Sequence, residues 1–407
     1  MSVRVPRLPR VTSLWIGTYP EAGAGTPVGQ GEGVWSVELD DETGALTDAR
    51  LVTTLPAPSF LAARPTSADG GPARLYAALE DEAGRVAGLV RAPSGDVEVD
   101  TAVPSGGAYP CHLLPTEHAL LVANYGSGTL GVLPLDADGA LTGDPDVHGH
   151  TGHGPRADRQ EGPHAHFVVL APGGRHVLVV DLGTDQVRRY AWDGRTATPD
   201  GVAVTLPPGT GPRHVAFSAD ARTAYLVGEL DVALHVLTWD EASATGELVQ
   251  SVPAVVDDPR TARTEPSAPA DAATASTVAA GAPVDAAALD EAGAPTVTEG
   301  AVGDLPSHVV ADGDEVLVAV RGADVLTRWR TSADGRLTDG RSFPLGGSWP
   351  RHFAVVGRWV VVALERAHEL VVLDRRTLSA AGSPSIAPTD PVVARLRMPS
   401  PTCILPA

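Results

Sequence analysis

Short apolar runs broken by Gly, Pro and Asp recur along the whole chain, a pattern that suits many short strands and argues against long helices. Six segments share one design: a Pro, a polar or small residue, a short apolar strand, a turn and a second apolar strand. They open at Pro58 (PSFLAARP), Pro110 (PCHLLPTEHALLVANYG), Pro163 (PHAHFVVLAPGGRHVLVVDLG), Pro212 (PRHVAFSADARTAYLVGEL), Pro306 (PSHVVADGDEVLVAVRG) and Pro350 (PRHFAVVGRWVVVALE). The spacings are 52, 53, 49, 94 and 44 residues, so four of the five intervals fit one period near 50, the size of a four-stranded blade. Each unit continues with a third strand and a hairpin whose turn carries Asp and Gly, as in TLGVLPLDADGALTGD and VLTRWRTSADGRLTDGRSF. Such turns supply the φ > 0 positions that tight hairpins require. A sandwich also has many short strands, but no reason to repeat one unit at this spacing. The pattern predicts an all-β, seven-bladed β-propeller spanning the chain as a single domain.

Two stretches fall outside the repeat. Asp257 to Gly300 is crowded with Ala, Pro, Thr and acids and almost empty of large apolar side chains. Burial cannot repay its ordering entropy, so it is expected to be a flexible surface insertion. The early strand VTSLWIGTYP has no full unit before it, and VVARLRMPSPTCILPA leaves apolar sequence unpaired at the other end. The terminal strands are therefore expected to close the ring together as a shared seventh blade, which removes the exposed edges of an open array.

Composition narrows the function. The formal charge is −20, from 30 basic against 50 acidic residues, which repels nucleic acid and anionic membranes at long range. Every basic residue is arginine, whose fork can still hold a small anion locally. Cys111 and Cys403 are the sole cysteines and form no CxxC pair, so no cysteine-built zinc site is supported. The HxH at residues 164–166 lacks an HExxH or a matched carboxylate cluster, so no metal is expected. GTGP and GSGTL fit turns better than phosphate cradles, so no nucleotide cofactor is expected, and there is no GxSxG nucleophile elbow. With no apolar segment long enough for export or membrane spanning, a cytoplasmic location is the expectation.

In a propeller, residues near the starts of the innermost strands converge on one mouth of the channel. His112, His164, His166, Arg213, His214, His308, Arg351 and His352 all lie at that register, while Glu229 and Arg321 end the second strands of their units. His164 and His166 share a face if the backbone is extended, which would direct two imidazoles into the channel. A repeated histidine can instead be structural, bonding a neighbouring backbone carbonyl to join blades, and that reading suits His112, His214, His308 and His352. The Glu229 carboxyl would be pushed up by desolvation or down by Arg213 and Arg321, and the sequence does not choose.

The order of WIGTY, PSFLA, PCH with VANYGSGTL, GPHAH with DLGTDQV, TGPRH with GEL, VRG and SWPRH resembles the seven-bladed lactonase family. That family includes the propeller-type 6-phosphogluconolactonases and the fungal carboxy-muconate lactonizing enzymes. The resemblance runs over almost the whole chain. It implies catalytic roles for a histidine of PHAH (His164 or His166), Arg213, Glu229 and Arg321. It points to hydrolysis of a small anionic sugar lactone, 6-phosphogluconolactone above all; no metal is needed because the lactone carbonyl is already reactive, and a monomer or homodimer is expected. His112, Asn124, His214, His308, Arg351 and His352 are the expected substrate-binding set. Where relatives often carry Asn, this chain has Leu79, Gly228, Val320 and Glu365, while Asn124 is retained. Two other functions remain open: a lactonizing enzyme for a muconate-type dicarboxylate, and a non-enzymatic binding propeller.

Overall fold

The second strand of each repeat reads as an unbroken apolar run because neighbouring blades cover both of its faces. Ala119–Asn124, Thr223–Gly228 and Trp359–Leu364 are buried at every residue. Outermost strands meet solvent, and Val392–Arg397 accordingly alternates half-buried with exposed positions. A computed structural model describes residues 11–20, 29–64, 74–91, 97–256, 303–380 and 391–407. Among these, 28 strands form seven four-stranded antiparallel sheets, the blades of the expected propeller. The insertion expected at Asp257 to Gly300 lies outside the described residues.

Six blades run outward in chain order from the innermost strands Pro58–Ala63, Pro110–Pro115, Ala165–Leu170, Pro212–Phe217, Leu305–Asp312 and Pro350–Val356. The seventh is shared by the termini, in the order Pro401–Pro406, Val11–Thr18, Gly33–Asp40, Leu46–Thr54. The C-terminal sequence divides between two blades. Val392–Arg397 is the outermost strand of the blade that begins at Pro350, and only Pro401–Pro406 joins the N-terminal strand. One short helix, Arg375–Ala380, follows the third strand of the Pro350 blade. No helix among the described residues is long and apolar enough to cross a membrane.

All seven innermost strands carry the same irregularity. Pairing with the second strand slips after the first or second residue, between Pro58 and Phe60, Pro110 and His112, Ala165 and Phe167, Pro212 and Val215, Pro306 and His308, and Pro350 and His352. In the shared blade the slip passes over Thr402, since Thr18 pairs with Pro401 and Gly17 with Cys403. A bulge breaks the strict alternation of side chains and re-aims them. Consecutive residues such as Arg213 and His214, or Arg351 and His352, thereby line one cavity.

The shared blade is packed on both sides. Leu14, Ile16, Val37 and Ile404 meet Trp359, Val361 and Leu370 of the preceding blade. Trp15, Val34 and Cys403 meet Leu61, Leu75 and Leu89 of the following one. Gly17 is required at this seam, because a Cβ there would lie 2.4 Å from the Pro58 carbonyl oxygen. Ile404, 2% exposed, contributes its side chain to the closure. Ile404→Ala should lower unfolding free energy by about 2–5 kcal/mol. Val393→Ala, at a position 49% exposed, should change it by no more than about 0.5 kcal/mol. The midpoints of urea unfolding check both values.

Candidate active site

The inward-facing residues of the seven blades form tiers. In the deepest, the third residue of each innermost strand, or the fourth in Leu305–Asp312, supplies Phe60, His112, Phe167, His214, His308, His352 and Cys403. Six of these rings make a closed belt, with successive centroids 4.3 Å (Phe60–His112), 4.0 Å (His112–Phe167), 4.6 Å (Phe167–His214), 5.1 Å (His214–His308), 4.2 Å (His308–His352) and 5.9 Å (His352–Phe60) apart. His112 and His352 join blades by accepting from backbone N–H groups rather than by bonding carbonyls. Val168 N donates to His112 Nδ1 (3.4 Å) and Ile404 N to His352 Nδ1 (3.3 Å). Arg213 Nη1 donates to His214 Nε2 (3.2 Å), so the proton on His214 sits on Nδ1 and points at His308 Nδ1, 2.9 Å away. Each bond needs an unprotonated acceptor. Burial, reinforced by Arg213, pushes all four imidazoles below the ordinary histidine range, His352 to about 3.

Above the belt, the bulged residues Ser59, Cys111, His166, Arg213, Arg351 and Thr402 surround a cavity floored by Phe60, His214 and His352. The chain end of each second strand supplies the next tier, which includes Tyr19, Glu80, Tyr125, Glu229, Arg321 and Glu365. On one side of the mouth three guanidiniums converge on one carboxylate. Arg213 Nε lies 3.0 Å and Arg321 Nη2 2.5 Å from Glu229 Oε2, and Arg159 Nη2 lies 2.6 Å from Oε1. Burial pushes the Glu229 carboxyl up, but Arg321, Arg159 and Arg213 outweigh it and hold the group well below the usual carboxylate range. Arg213 is fully enclosed and also donates to the Ser307 carbonyl of the next blade. Burial and the like charge of Arg321 bring its own proton affinity down, to about 9.

The opposite side has the reverse balance. Arg351 is 3.3 Å from both Glu80 and Glu365 and donates to the Tyr19 hydroxyl at 3.0 Å, with its guanidinium 4.4 Å above the Tyr19 ring centre. Two carboxylates here face one cation, whereas three cations face one carboxylate around Glu229.

Residues 13–406 match the family described as "Lactonase, 7-bladed beta-propeller". The chain belongs to this lactonase family. It is 27% identical over 368 residues to the 6-phosphogluconolactonase of Bacillus subtilis (strain 168), covering 89% of this chain and 90% of that one. Among solved structures it resembles the periplasmic gluconolactonase of Pseudomonas aeruginosa (TM-score 0.72, 24% identity, 98% of this chain and 99% of that one). A protein from Lactobacillus plantarum is similar in fold (TM-score 0.73, 24% identity, 98% and 100% covered).

In this lactonase-family propeller, Arg213, Glu229 and Arg321 come together, and His166 lines the cavity that Arg213 also lines. His164 does not. Its Nδ1 meets the Tyr125 carbonyl at 2.9 Å, its Nε2 meets Glu161 at 3.0 Å, and its ring stacks on Tyr125. The bulge between Ala165 and Phe167 spoils the alternation that would have placed both imidazoles on one face. His112 and His308 belong to the belt rather than to the cavity lining. Asn124 is not among the residues that line this cavity. It is fully buried, and its amide donates to Ser105 O and Thr129 Oγ1, both at 3.2 Å, where it fastens the turn beyond its strand. Asp181 does the same in the next blade through Thr184. At Gly228 no such side chain fits, since a Cβ would lie 2.1 Å from Asp231, which pairs with His235 instead. Arg351 reaches the cavity but is engaged by Glu80 and Glu365.

Sequence reasoning passed over Arg159, Glu80 and Cys111. Arg159 sits in the loop between two blades, outside any strand register, and no periodic signal marks it. Glu80 had a signal, because YAALE, LVGE and VALE end alike. Cys111 Sγ is 3.9 Å from His166 Nδ1, but burial pushes the thiol far above its ordinary range, so it holds its proton and is no ready nucleophile. Among the described residues no three His, Cys, Asp or Glu side chains are grouped to hold a metal ion.

The belt has a pH signature. Folded imidazoles that resist protonation contribute stability that is complete above the unfolded-state value of about 6.5 and declines as pH falls below it. Carboxylates with lowered values begin to titrate only below about pH 4.5. Unfolding free energy should therefore drop between pH 7 and pH 5. His352→Phe, which copies Phe60 and Phe167 of the same tier, should flatten that slope. Denaturant titrations at fixed pH test this, and an equal slope in the variant would contradict the assignment.

Proposed function

We propose that the mouth hydrolyses a sugar lactone, and that 6-phosphogluconolactone, opened to 6-phosphogluconate, is the substrate that suits it best. The observation carrying this reading is the trio of guanidiniums on the single carboxylate of Glu229. One carboxylate leaves net positive charge in a site shielded from water, where it acts on an oxyanion far more strongly than in bulk solvent. The Bacillus subtilis relative, a 6-phosphogluconolactonase, supports the same substrate.

Water attacks the lactone carbonyl carbon, and a basic group takes its proton. Glu229 is a poor base because three guanidiniums stabilise its ionised form. His166 suits the task better. It lines the cavity, and burial, followed by Arg213, keeps its imidazole unprotonated at neutral pH; the oxyanion that forms beside it raises its proton affinity as the proton moves, whereas three guanidiniums hold the Glu229 carboxylate ionised throughout. Arg213 and Arg321 receive the oxyanion of the tetrahedral intermediate, and Glu229 fixes their geometry. Collapse of the intermediate breaks the ring C–O bond, and the imidazolium returns its proton to the departing alkoxide. The acidic half of the mouth, Glu80 and Glu365, favours hydroxyl groups there and opposes the second carboxylate of a muconate-type ligand.

Arg321→Gln should lower kcat/KM for 6-phosphogluconolactone about 10²- to 10³-fold, and His166→Asn about 10²- to 10⁴-fold. Cys111→Ala should retain turnover. Activity depends on unprotonated His166, so kcat/KM should stay level from pH 8 down through 6.5 and fall only in more acidic buffer. Initial rates corrected for spontaneous opening read these effects. An acid limb centred near 6.5, or full activity in His166→Asn, would overturn the role given to His166.

A further inference from the structure

We propose that Arg366, stacked on Trp349 at the rim beside Arg321, is a second anion subsite that takes the phosphate at the far end of the substrate. The proposal rests on the lactone reading and adds to it the contact that selects a phosphorylated sugar.

Trp349 is the platform. Its φ of 68° is left-handed, a conformation that a bulky side chain adopts only under constraint. The constraint comes from its backbone N–H, which donates to Asp324 Oδ1 at 2.7 Å, and from its carbonyl, which accepts from Glu365 N at 3.0 Å. The indole, almost wholly buried, carries the guanidinium of Arg366 3.3 Å from its ring centre and that of Arg321 at 5.4 Å. Stacking desolvates the face of a guanidinium and leaves its in-plane N–H donors directed outward. Arg366 Nε is buried and makes no hydrogen bond.

Position explains what this cation is for. Arg366 follows Glu365, so it stands one residue farther out than the tier that holds Glu229 and Arg321. The carboxylates around it are shared: Glu365 faces Arg351 and Asp324 holds the Trp349 backbone while both also stabilise the Arg366 charge, and Glu229 already answers three guanidiniums. A phosphorylated lactone presents its reacting carbonyl and its phosphate at opposite ends of a hydroxylated ring. Arg213 and Arg321 serve the first end, the acidic pair Glu80 and Glu365 faces the hydroxyls, and Arg366 on its indole platform meets the second.

The experiment measures binding of 6-phosphogluconate and of gluconate by calorimetry, in wild type and in Arg366→Gln, together with kcat/KM for the phosphorylated and unphosphorylated lactones. Wild type should prefer the phosphorylated member of each pair, and R366Q should reduce that preference about 10- to 100-fold, the worth of one charge-assisted contact. Unequal losses locate the phosphate at Arg366. Equal loss for both ligands, or an unaltered preference in R366Q, would overturn the subsite. Failure of wild type to open either lactone while still binding 6-phosphogluconate through Arg366 would instead overturn the hydrolytic reading and leave the subsite standing.

Discussion

Antiparallel pairing of Pro401–Pro406 with Val11–Thr18 is the constraint on which the rest of the molecule depends. Without it the ring has two open edges, and the tiers that meet in the channel have no fixed circumference. With it, residues separated by more than 300 positions in sequence become neighbours. Arg351 bonds Tyr19, and Thr402 Oγ1 bonds the Ser59 carbonyl. Blade-to-blade bonds of this kind recur around the channel, as in Cys111 to the His166 carbonyl and Ser307 to the Pro350 carbonyl. The same side chains that line the cavity therefore also fix its width.

The site is an electrostatic compromise built on that ring. Burying Glu229 or Arg213 alone would be costly, and each is tolerated because the other is within 3.0 Å. The exchange is unequal on both sides of the mouth. Around Glu229 positive charge is in excess, and around Arg351 negative charge is in excess, so the cavity has a polarity across its width. That polarity suits a ligand with an anionic reacting end and a hydroxylated body. It also settles the state of Glu229, which desolvation and neighbouring arginines pull in opposite directions.

The repeat was legible because blades are built from local signals. Pro at the strand start, an apolar run, and an Asp-Gly hairpin mark each unit, and equivalent units must place equivalent residues at equivalent depth. Arg213, Glu229 and Arg321 could be assigned to one mouth on that logic. The exceptions arise where the logic lacks information. A bulge at Ala165 separates His164 from His166, a loop brings in Arg159, and Asn124 spends its amide on a turn. None of these has a periodic signature, since bulges, loops and caps depend on partners far away in the chain.

By itself the sequence determined the all-β class, the period of the blades, the sharing of one blade by the termini, and the shortlist of arginine, glutamate and histidine from which a mouth could be built. These are properties of hydrophobic periodicity and turn chemistry, which act over a few residues. Tertiary structure alone decided which histidine enters the cavity, that three guanidiniums rather than two hold Glu229, and that Arg351 is matched by Glu80 and Glu365. Charge and burial depend on distances in space, and those distances exist only once the ring has closed.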